Sequence, residues 1–345
     1  MVPVPFQPAD AELATLAPEG APPTSLDPAA LQGQLEQHRR ELTGYCYRML
    51  GSGSEAEDAV QETMVRAWRG LDRFEGRAAL RSWLYRIATN VCLDMLRGPQ
   101  RRARPMDLGP SSPASASLDA GLGDHAWVRP VHDDRVVPTD ADPAEVAAAR
   151  ETIRLAFVAA LQLLPPRQRA VLILREVLRW QATEVAELLD TSVASVNSAL
   201  QRARATLADR NLDEQQVTPV DAAQEALLAR YVDAFERYDI DAIVELLHDD
   251  VVQSMPPYAL WLQGREHVGA WFLGTGIGCR GARLVRTRAN GRPAFGSYRV
   301  AGPGEWRPFS LCIVDVVDDR IVGLHNFLYP ELFAEFGLPD RLTDD

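Results

Sequence analysis

Polar side chains suited to reading base pairs are spaced along residues 192 to 207. The apolar residues of this stretch recur at intervals of three and four, which predicts an amphipathic helix from Ser192 to Leu207 with one buried face. The residues left outside that face are Asn197, Ser198, Gln201 and Arg202. Because an amide can form two hydrogen bonds with adenine and a guanidinium two with guanine, this face could recognise DNA. The alternative is the solvated face of an ordinary core helix.

The elements that precede this helix favour DNA recognition. A short helix is predicted from Thr183 to Leu189, and a turn follows at residues 190–192. Two helices joined in this way are typical of a helix-turn-helix, whose second helix enters the major groove. Further upstream, helices are predicted over residues 144–164 and 167–178, with Pro166 in the first turn of the second, where its missing N–H costs nothing.

A second candidate for nucleic-acid binding is a basic stretch inside an acidic chain. The formal net charge is −12, yet residues 66 to 104 hold ten arginines and three acidic residues. A helix predicted over residues 80–96 carries Arg86 and Asn90 on its polar side, and Trp83 and Tyr85 could stack on unpaired bases. The arginines that follow it, suited to binding phosphates, are Arg97, Arg101, Arg102 and Arg104. The alternative is a solvated charged surface.

A helix predicted to begin at Ser54 leaves a polar face for a protein partner. Ser54 and Glu57 have the spacing of a capping box, and the apolar residues from Val60 to Leu71, Trp68 included, fall on one face. The polar residues off that face are Asp58, Gln61 and Glu62. A helix over residues 31–50 is predicted to precede this one.

The second half of the chain changes pattern after a linker. Residues 105–145 are rich in Pro, Ser, Ala and Asp, with one apolar island at residues 127–131. Beyond residue 220, amphipathic helices are followed by short β-rich runs, with a strong hairpin signal at Asn290-Gly291 and a weaker one at Asp318-Asp319. Helices followed by an antiparallel sheet predict an α+β domain.

Composition excludes several classes of protein. No run of eighteen apolar residues occurs, so we expect no membrane span. Residues 1–27 lack the basic start of a signal peptide and are predicted to be disordered, which favours a cytoplasmic location. The four cysteines are scattered, so we expect neither a disulfide framework nor a metal site, and no cofactor is implied.

Two blocks of residues resemble conserved regions of the extracytoplasmic-function (ECF) sigma factors. Residues 58–68 (DAVQETMVRAW) and 81–90 (RSWLYRIATN) are similar to region two of that family. Residues 164–169 (LPPRQR), 183–189 (TEVAELL) and 196–204 are similar to region four. The blocks stand in the family's order, whereas the LuxR-type regulators that share the second block lack the first.

This resemblance implies a multidomain promoter-specificity subunit. It implies an all-α region 2 domain over residues 28–104, an acidic linker over 105–145, and an all-α region 4 domain with the helix-turn-helix over 146–212. The clamp of the RNA polymerase core would bind Asp58, Gln61 and Glu62. The sigma factor would also contact the flap of the polymerase. Arg86 and Asn90 would capture the unpaired downstream promoter element, and Asn197, Ser198 and Arg202 would face the upstream element. Many family members carry arginine where Asn197 stands, so this chain departs from the family at a base-reading position.

Residues 213–345 resemble the SnoaL/ketosteroid-isomerase-like cone fold, as an α+β domain. The resemblance rests on the order of elements and on residues 231–239 and 324–326. Such cones often enclose a pocket, and the candidate pocket residues are Tyr258, Trp261, His267, Trp271, Tyr298 and His325. The alternative for these six is packing in the core and at the rim. We expect this domain to regulate by contact, with an unidentified small ligand or regulatory protein as a candidate partner. Its excess of acidic residues would draw it to the basic stretch.

Two other functions remain open from the sequence. The chain could be a SnoaL-like cyclase or isomerase fused to a DNA-binding module, and turnover by residues 220–345 would favour that interpretation. It could also be a plain helix-turn-helix repressor, which would bind an operator tightly without polymerase. A sigma factor would bind DNA weakly on its own.

Overall fold

The computed structural model describes residues 28–71, 79–98, 102–118, 121–139, 141–208 and 221–344. Helix α1 (Pro28–Gln37) belongs to a unit formed by residues 1–37, and residues 38–345 form a second compact unit. The extension predicted to be disordered, residues 1–27, lies outside the described residues.

Three helices make the first helical domain (residues 38–98). They are α2 (Arg39–Leu50), α3 (Gly53–Gly70) and α4 (Leu80–Met95). Gly51 ends α2 in the left-handed conformation, with φ of 74°, and Ser52 caps α3 by accepting a hydrogen bond from the Glu55 N–H at 3.4 Å. The predicted start at Ser54 is therefore one residue late and the predicted capping residue two residues late, because the glycine turn places Ser52 at the N-cap.

The second helical domain (residues 143–208) carries the predicted helix-turn-helix. Its helices are α6 (Pro143–Glu151), α7 (Leu155–Gln162), α8 (Pro166–Leu172, extended by one π-helical turn, Ile173–Val177), α9 (Ala182–Leu188) and α10 (Val193–Ala208). The single helix predicted over residues 144–164 is in fact two. The chain breaks at Thr152, whose carbonyl and hydroxyl oxygens accept hydrogen bonds from Arg48 at 3.2 and 2.6 Å.

The C-terminal domain (residues 221–344) is the predicted α+β domain. Its helices are α11 (Ala222–Arg237), α12 (Ile240–Leu246), α13 (Arg265–Leu273) and α14 (Leu332–Glu335). Its strands are β1 (Leu247–Ser254), β2 (Trp261–Gln263), β3 (Arg283–Ala289), β4 (Arg292–Gly302), β5 (Glu305–Val317), β6 (Arg320–Phe327) and β7 (Leu342–Thr343).

The sheet of this domain runs in the order β2-β1-β6-β5-β4-β3, with β7 paired to β5. All pairs are antiparallel except β1 with β6. Both predicted hairpins form, because Asn290 (φ 56°), Gly291 (φ 74°) and Asp318 (φ 52°) adopt the left-handed conformation that tight hairpin turns require. The core lies between the sheet and helices α11 to α13.

The connecting segment (residues 102–139), which includes α5 (Pro105–Leu108), is anchored at several points along its described length. The Ser112 N–H donates to the carbonyl of Trp261 at 2.7 Å, and the Leu122 N–H donates to the carbonyl of Pro257 at 2.9 Å. Trp127, in the apolar island, is completely buried. Backbone hydrogen bonds and a buried apolar group therefore hold this segment against the rest of the chain.

Candidate nucleic-acid interface

The turn before α10 presents that helix to solvent on one side. Asp190 adopts a left-handed conformation with φ of 49°, and the Thr191 N–H donates to the carbonyl of Ala186 at 2.9 Å, which ends α9. The Ser192 hydroxyl then accepts a hydrogen bond from the Ser195 N–H at 3.1 Å and caps the next helix. This compact turn holds α9 and α10 in the helix-turn-helix arrangement.

The base-reading candidates lie on the exposed face of α10. Val196, Leu200 and Ala203 are buried against the rest of the domain. The exposed residues include all four candidates, Asn197, Ser198, Gln201 and Arg202. Within the part of the chain that the structure describes, no hydrogen bond or ion pair engages their side chains. The face can therefore approach the floor of a groove without breaking internal contacts.

Arg86 and Asn90 on α4 are also exposed, but Arg86 is already engaged. Its guanidinium donates to the carbonyl of Glu187, near the end of α9, at 2.9 Å. Close by, the ring of Tyr85 lies 5.0 Å from that of Trp180 and is completely buried. Tyr85 is therefore not a platform for bases in this conformation, because it packs between the two helical domains.

The basic cluster after α4 divides into exposed and buried members. Arg97 is exposed and pairs with Asp94 at 2.8 Å. Arg102 is only 5% exposed, and its guanidinium pairs with Glu55 and donates to the carbonyls of Asp124 and Trp127. The prediction that Arg102 binds DNA is therefore corrected, since this side chain staples the connecting segment to α3. Arg101 lies outside the described residues.

The face of α3 proposed for a protein partner is solvent-accessible. Asp58 and Gln61 are exposed, and Glu62 is half-buried and pairs with Arg66 at 2.7 Å. Trp68 was predicted to lie in the core but is 48% exposed, because smaller residues, including Ala59 and Ala67, fill the buried side. Its ring adds apolar area beside the polar candidates.

The cone of the C-terminal domain encloses little space. A cavity of about 30 Å³ lies between the sheet and helices α11 and α13. Buried polar atoms without a hydrogen-bond partner among the described residues face it from Gln253, Trp271 and Ser297. That volume accommodates about one or two water molecules, whereas sites for organic ligands usually measure about 300–1,000 Å³. The cavity is too small for a polyketide or steroid substrate.

Of the six candidate pocket residues, only Trp271 lines this cavity. The Tyr298 hydroxyl donates to the carbonyl of Pro339, and the Trp261 indole donates to the carbonyl of Gly109. His267 is exposed, Tyr258 packs at the edge of the core, and His325 lies on the opposite face of the sheet. These five do not line the cone cavity, because element order indicates the fold but not which way each side chain points, and His325 instead lines a cavity on the other face of the sheet.

The tip of the β3–β4 hairpin is buried at a junction that the sequence did not indicate. Asn290 is completely buried between all three domains and the connecting segment. Its side-chain amide donates to the Tyr47 hydroxyl and to the carbonyl of Ile153, both at 2.6 Å, and its carbonyl oxygen accepts from the Val131 N–H at 3.1 Å. The adjacent Gly291 N–H donates to Asp133 at 2.8 Å. The Asn-Gly pair indicated the turn but gave no signal that the turn would be buried.

The described residues offer neither a membrane span nor a metal site. None of the described helices is long and apolar enough to cross a bilayer. Among the same residues, no group of three His, Cys, Asp or Glu side chains is arranged to hold a metal ion.

Comparison with known proteins identifies all three domains. Residues 35–102 match the Sigma-70 region 2 model, residues 154–207 match Sigma-70, region 4, and residues 228–324 match the SnoaL-like domain model. The ECF RNA polymerase sigma factor SigG of Mycobacterium tuberculosis is 44% identical over 89% of this chain and 83% of its own. The SigJ sigma factor of the same species is 28% identical over 89% of this chain and 95% of its own.

The crystal structure of SigJ from Mycobacterium tuberculosis shares the fold. It has a TM-score of 0.55, is 23% identical and covers 89% of this chain and 100% of its own. The likeness to SigJ covers the two helical domains and the C-terminal domain together, as a likeness of fold. The chain belongs to the ECF sigma factors of the sigma-70 family that carry a C-terminal SnoaL-like domain.

Proposed function

We propose that this sigma factor rests in a closed form, in which its C-terminal domain holds the two promoter-reading domains together. As a sigma factor, the chain is a transcription factor that binds core RNA polymerase and promoter DNA, and not an enzyme. The observation that carries the proposal is the burial of Asn290 between domains. We expect the protein to act in the cytoplasm, where its polymerase works.

The contacts are assigned as follows under this proposal. Region 2 (residues 28–104) docks on the polymerase clamp through Asp58, Gln61 and Glu62 and captures the unpaired downstream element. Region 4 (residues 146–212) contacts the flap and reads the upstream element through Asn197, Ser198, Gln201 and Arg202. The exposure of both faces supports this assignment. Residues 105–145 connect region 2 to region 4, and residues 213–345 regulate the activity of both.

The closed form conflicts with simultaneous use of both reading domains. Arg86, on the helix proposed to capture unpaired bases, donates to the backbone of the helix-turn-helix instead. The Tyr85 and Trp180 rings and the guanidinium of Arg169, which donates to the carbonyl of Met49, join the same two domains. Two domains that read separate promoter elements must move apart, so these contacts must break during holoenzyme assembly.

The hairpin tip stabilises the closed form by joining the domains. Its single asparagine side chain satisfies a hydroxyl of region 2, a carbonyl of region 4 and an N–H of the connecting segment. The Tyr47 hydroxyl would still donate to the carbonyl of Arg129, but removing the asparagine side chain takes a partner from the Ile153 carbonyl and the Val131 N–H, at a cost of about 1–3 kcal/mol for each group left unpaired. A change of this size is enough to shift a two-state equilibrium substantially.

The test is the Asn290→Ala variant of the full-length chain. Promoter binding and transcription with core polymerase should rise, and amide hydrogen exchange at Val131 should accelerate. Asp318→Ala is the matched control, because it places alanine in a left-handed turn (φ 52° against 56°) at an exposed hairpin tip. If both variants transcribe like the parent although exchange at Val131 has accelerated, the contact does not regulate and the proposal is rejected.

A further inference from the structure

A second cavity lies on the other face of the SnoaL-like sheet, where that domain meets the rest of the chain. Its volume is about 220 Å³, against about 30 Å³ for the cavity inside the cone. Neighbouring residues of a strand point to opposite faces, and accordingly Cys312 lines the cone cavity whereas Ile313 lines this one. The remaining walls come from α7 and from the connecting segment at Arg104 and Met106.

The charged groups of the lining are predominantly cationic. Three guanidinium groups, those of Arg104, Arg154 and Arg292, face one carboxylate, that of Asp315. Asp315 is shared: its oxygens lie 3.1 Å from Arg292 Nε and 3.0 Å from His325 Nε2. Just outside the lining, Arg104 pairs with Asp107 at 3.1 Å and Arg154 pairs with Glu151 at 2.8 Å. Arg292 is therefore the guanidinium whose carboxylate partner is shared with a second group.

The electrostatics of the cluster follow from burial and from these neighbours. Burial lowers the pKa of Arg292, Asp315 raises it, and the nearby positive charge of Arg154 lowers it again. Burial alone would raise the pKa of Asp315, but the hydrogen bond and charge of His325 and the charges of both arginines hold it at about 2. Asp315 therefore stays ionised, and the pKa of Arg292 is lowered overall because burial outweighs the attraction of Asp315 and Glu151.

Arg292 keeps an unused donor in this cavity. The residue is 7% exposed, and its Nη2 atom is buried without a hydrogen-bond partner among the described residues. A buried, unsatisfied guanidinium N–H costs free energy, and guanidinium groups form their strongest hydrogen bonds with oxyanions. Gly323 keeps the space beside it open, because a Cβ there would lie 3.0 Å from His325 Nε2.

We propose that this interdomain cavity binds a small organic carboxylate, with its oxyanion at Arg292 and Arg154 and an apolar body against Leu155, Met106 and Ile313. The volume sets the size of the ligand. An engineered cavity of about 150 Å³ holds benzene, so 220 Å³ suits a single ring or short chain that bears one carboxylate. The apolar half of the lining distinguishes this ligand from inorganic phosphate.

Such a ligand would stabilise the docked arrangement of the domains. Its binding groups come from the start of region 4, from the connecting segment and from the SnoaL-like sheet. A ligand held by all three binds the docked form better than any form in which they separate. Binding does not depend on what docking does to transcription, so it can be tested separately from the closed-form proposal.

Calorimetric titration of the full-length protein with benzoate is the test. Benzamide, the neutral counterpart, and inorganic phosphate are the comparison probes. We expect saturable binding of one benzoate per chain, a raised melting temperature, and much weaker binding of the other two. No saturable benzoate binding, or equal binding of benzamide or phosphate, would overturn the proposal.

Variants locate the site. Arg292→Gln should weaken benzoate binding about tenfold or more, the effect of losing one charge-assisted hydrogen bond. Arg307→Gln removes a 70% exposed arginine of the same sheet and should leave affinity unchanged. If Arg292→Gln does not fold, Ala156→Leu serves instead, because it fills the apolar end without altering any charge. Benzoate affinity unaffected by the folded variant would place the ligand elsewhere and refute the assignment.

Discussion

Arg97 and Arg102 belong to one basic stretch, yet they have different surroundings. Arg97 has 81% of its side chain exposed, whereas Arg102 has 5% and is surrounded by Glu55 and two backbone carbonyls. At the scale of single residues, the same side-chain type thus has two roles. One arginine is available to a phosphate, and the other holds the connecting segment in place.

We expect Arg102→Ala to destabilise the protein and Arg97→Ala to leave stability unchanged. Truncating one partner of a buried ion pair costs about 3–5 kcal/mol, and the partial exposure of Glu55 puts the loss at the lower end of that range. Denaturant unfolding of both variants measures this. Arg97→Ala should instead reduce the salt dependence of promoter binding by about one phosphate contact. Equal stability of the two variants would contradict the assignment.

Asn197→Arg should change promoter preference and retain activity. Asn197 is exposed on α10, and amide and guanidinium side chains favour adenine and guanine respectively, a discrimination of about 1–3 kcal/mol per base pair. Transcription from a library randomised in the upstream element measures the preference. An unchanged preference would mean that this residue does not face a base.

At the scale of elements, α3 has one face for the fold and another for a partner. Asp58→Arg should weaken binding to core polymerase with little change in the free energy of unfolding, because the residue is exposed and touches no core group. Reversing a charge at an interface chiefly slows association. Asp233→Arg on α11, also an exposed helical position, is the control and should bind like the parent. Equal loss of affinity in both variants would indicate a general charge effect.

The β3–β4 turn is an element whose geometry leaves no room for a side chain. Gly291 has φ of 74°, and a Cβ there would lie 2.9 Å from Arg150 Cβ and 3.0 Å from the Arg150 carbonyl oxygen. Gly304 also adopts the left-handed conformation (φ 67°), but the atom nearest to an added Cβ there belongs to the flexible side chain of Asp344.

We therefore expect Gly291→Ala to destabilise the protein more than Gly304→Ala. Both changes carry a left-handed backbone penalty of about 1–2 kcal/mol, and only the first adds a clash with backbone. Thermal unfolding of the two variants compares them. If Gly304→Ala is equally harmful, backbone strain alone explains the loss and the docking contact adds nothing.

At the scale of the whole molecule, attraction between the acidic SnoaL-like domain and the basic stretch does not hold the domains together. The sequence suggested that the acidic SnoaL-like domain, with nineteen acids and twelve arginines over residues 221–345, would attract the basic stretch. That expectation is wrong for the described residues. The ion pairs found for arginines between residues 66 and 104 join acids between residues 41 and 107. Docking instead uses buried hydrogen bonds at Asn290. At Arg129 it also uses an ion pair with Glu331 at 3.2 Å and stacking on Tyr329 at 4.6 Å.

The free protein should therefore stay compact in high salt. Screening weakens exposed charge pairs but has little effect on buried hydrogen bonds and apolar contacts. Small-angle scattering at low and high ionic strength should give the same radius of gyration. Asn290→Ala should be more expanded under both conditions. If the parent chain expands in high salt, exposed charge pairs hold the domains together and this prediction is wrong.

The sequence by itself determined what depends on neighbouring residues. The spacing of apolar residues indicated α10 and its exposed face, and Asn290-Gly291 indicated a hairpin, because helix period and turn conformation are local properties. The motif blocks also indicated the family and the order of its domains, since they are contiguous stretches of sequence. These features needed no knowledge of the other domains.

Only the tertiary structure decided which polar groups are buried and where the chain leaves space. Arginine and asparagine are usually surface residues, yet Arg102 and Asn290 are buried by partners distant in sequence. Arg102 contacts Glu55 and Trp127. Asn290 contacts Tyr47 and Ile153. The filled cone and the cavity beside Arg292 likewise result from packing between distant segments. Sequence patterns report the face of an element, whereas burial depends on what packs against that face, and long-range contacts fix it.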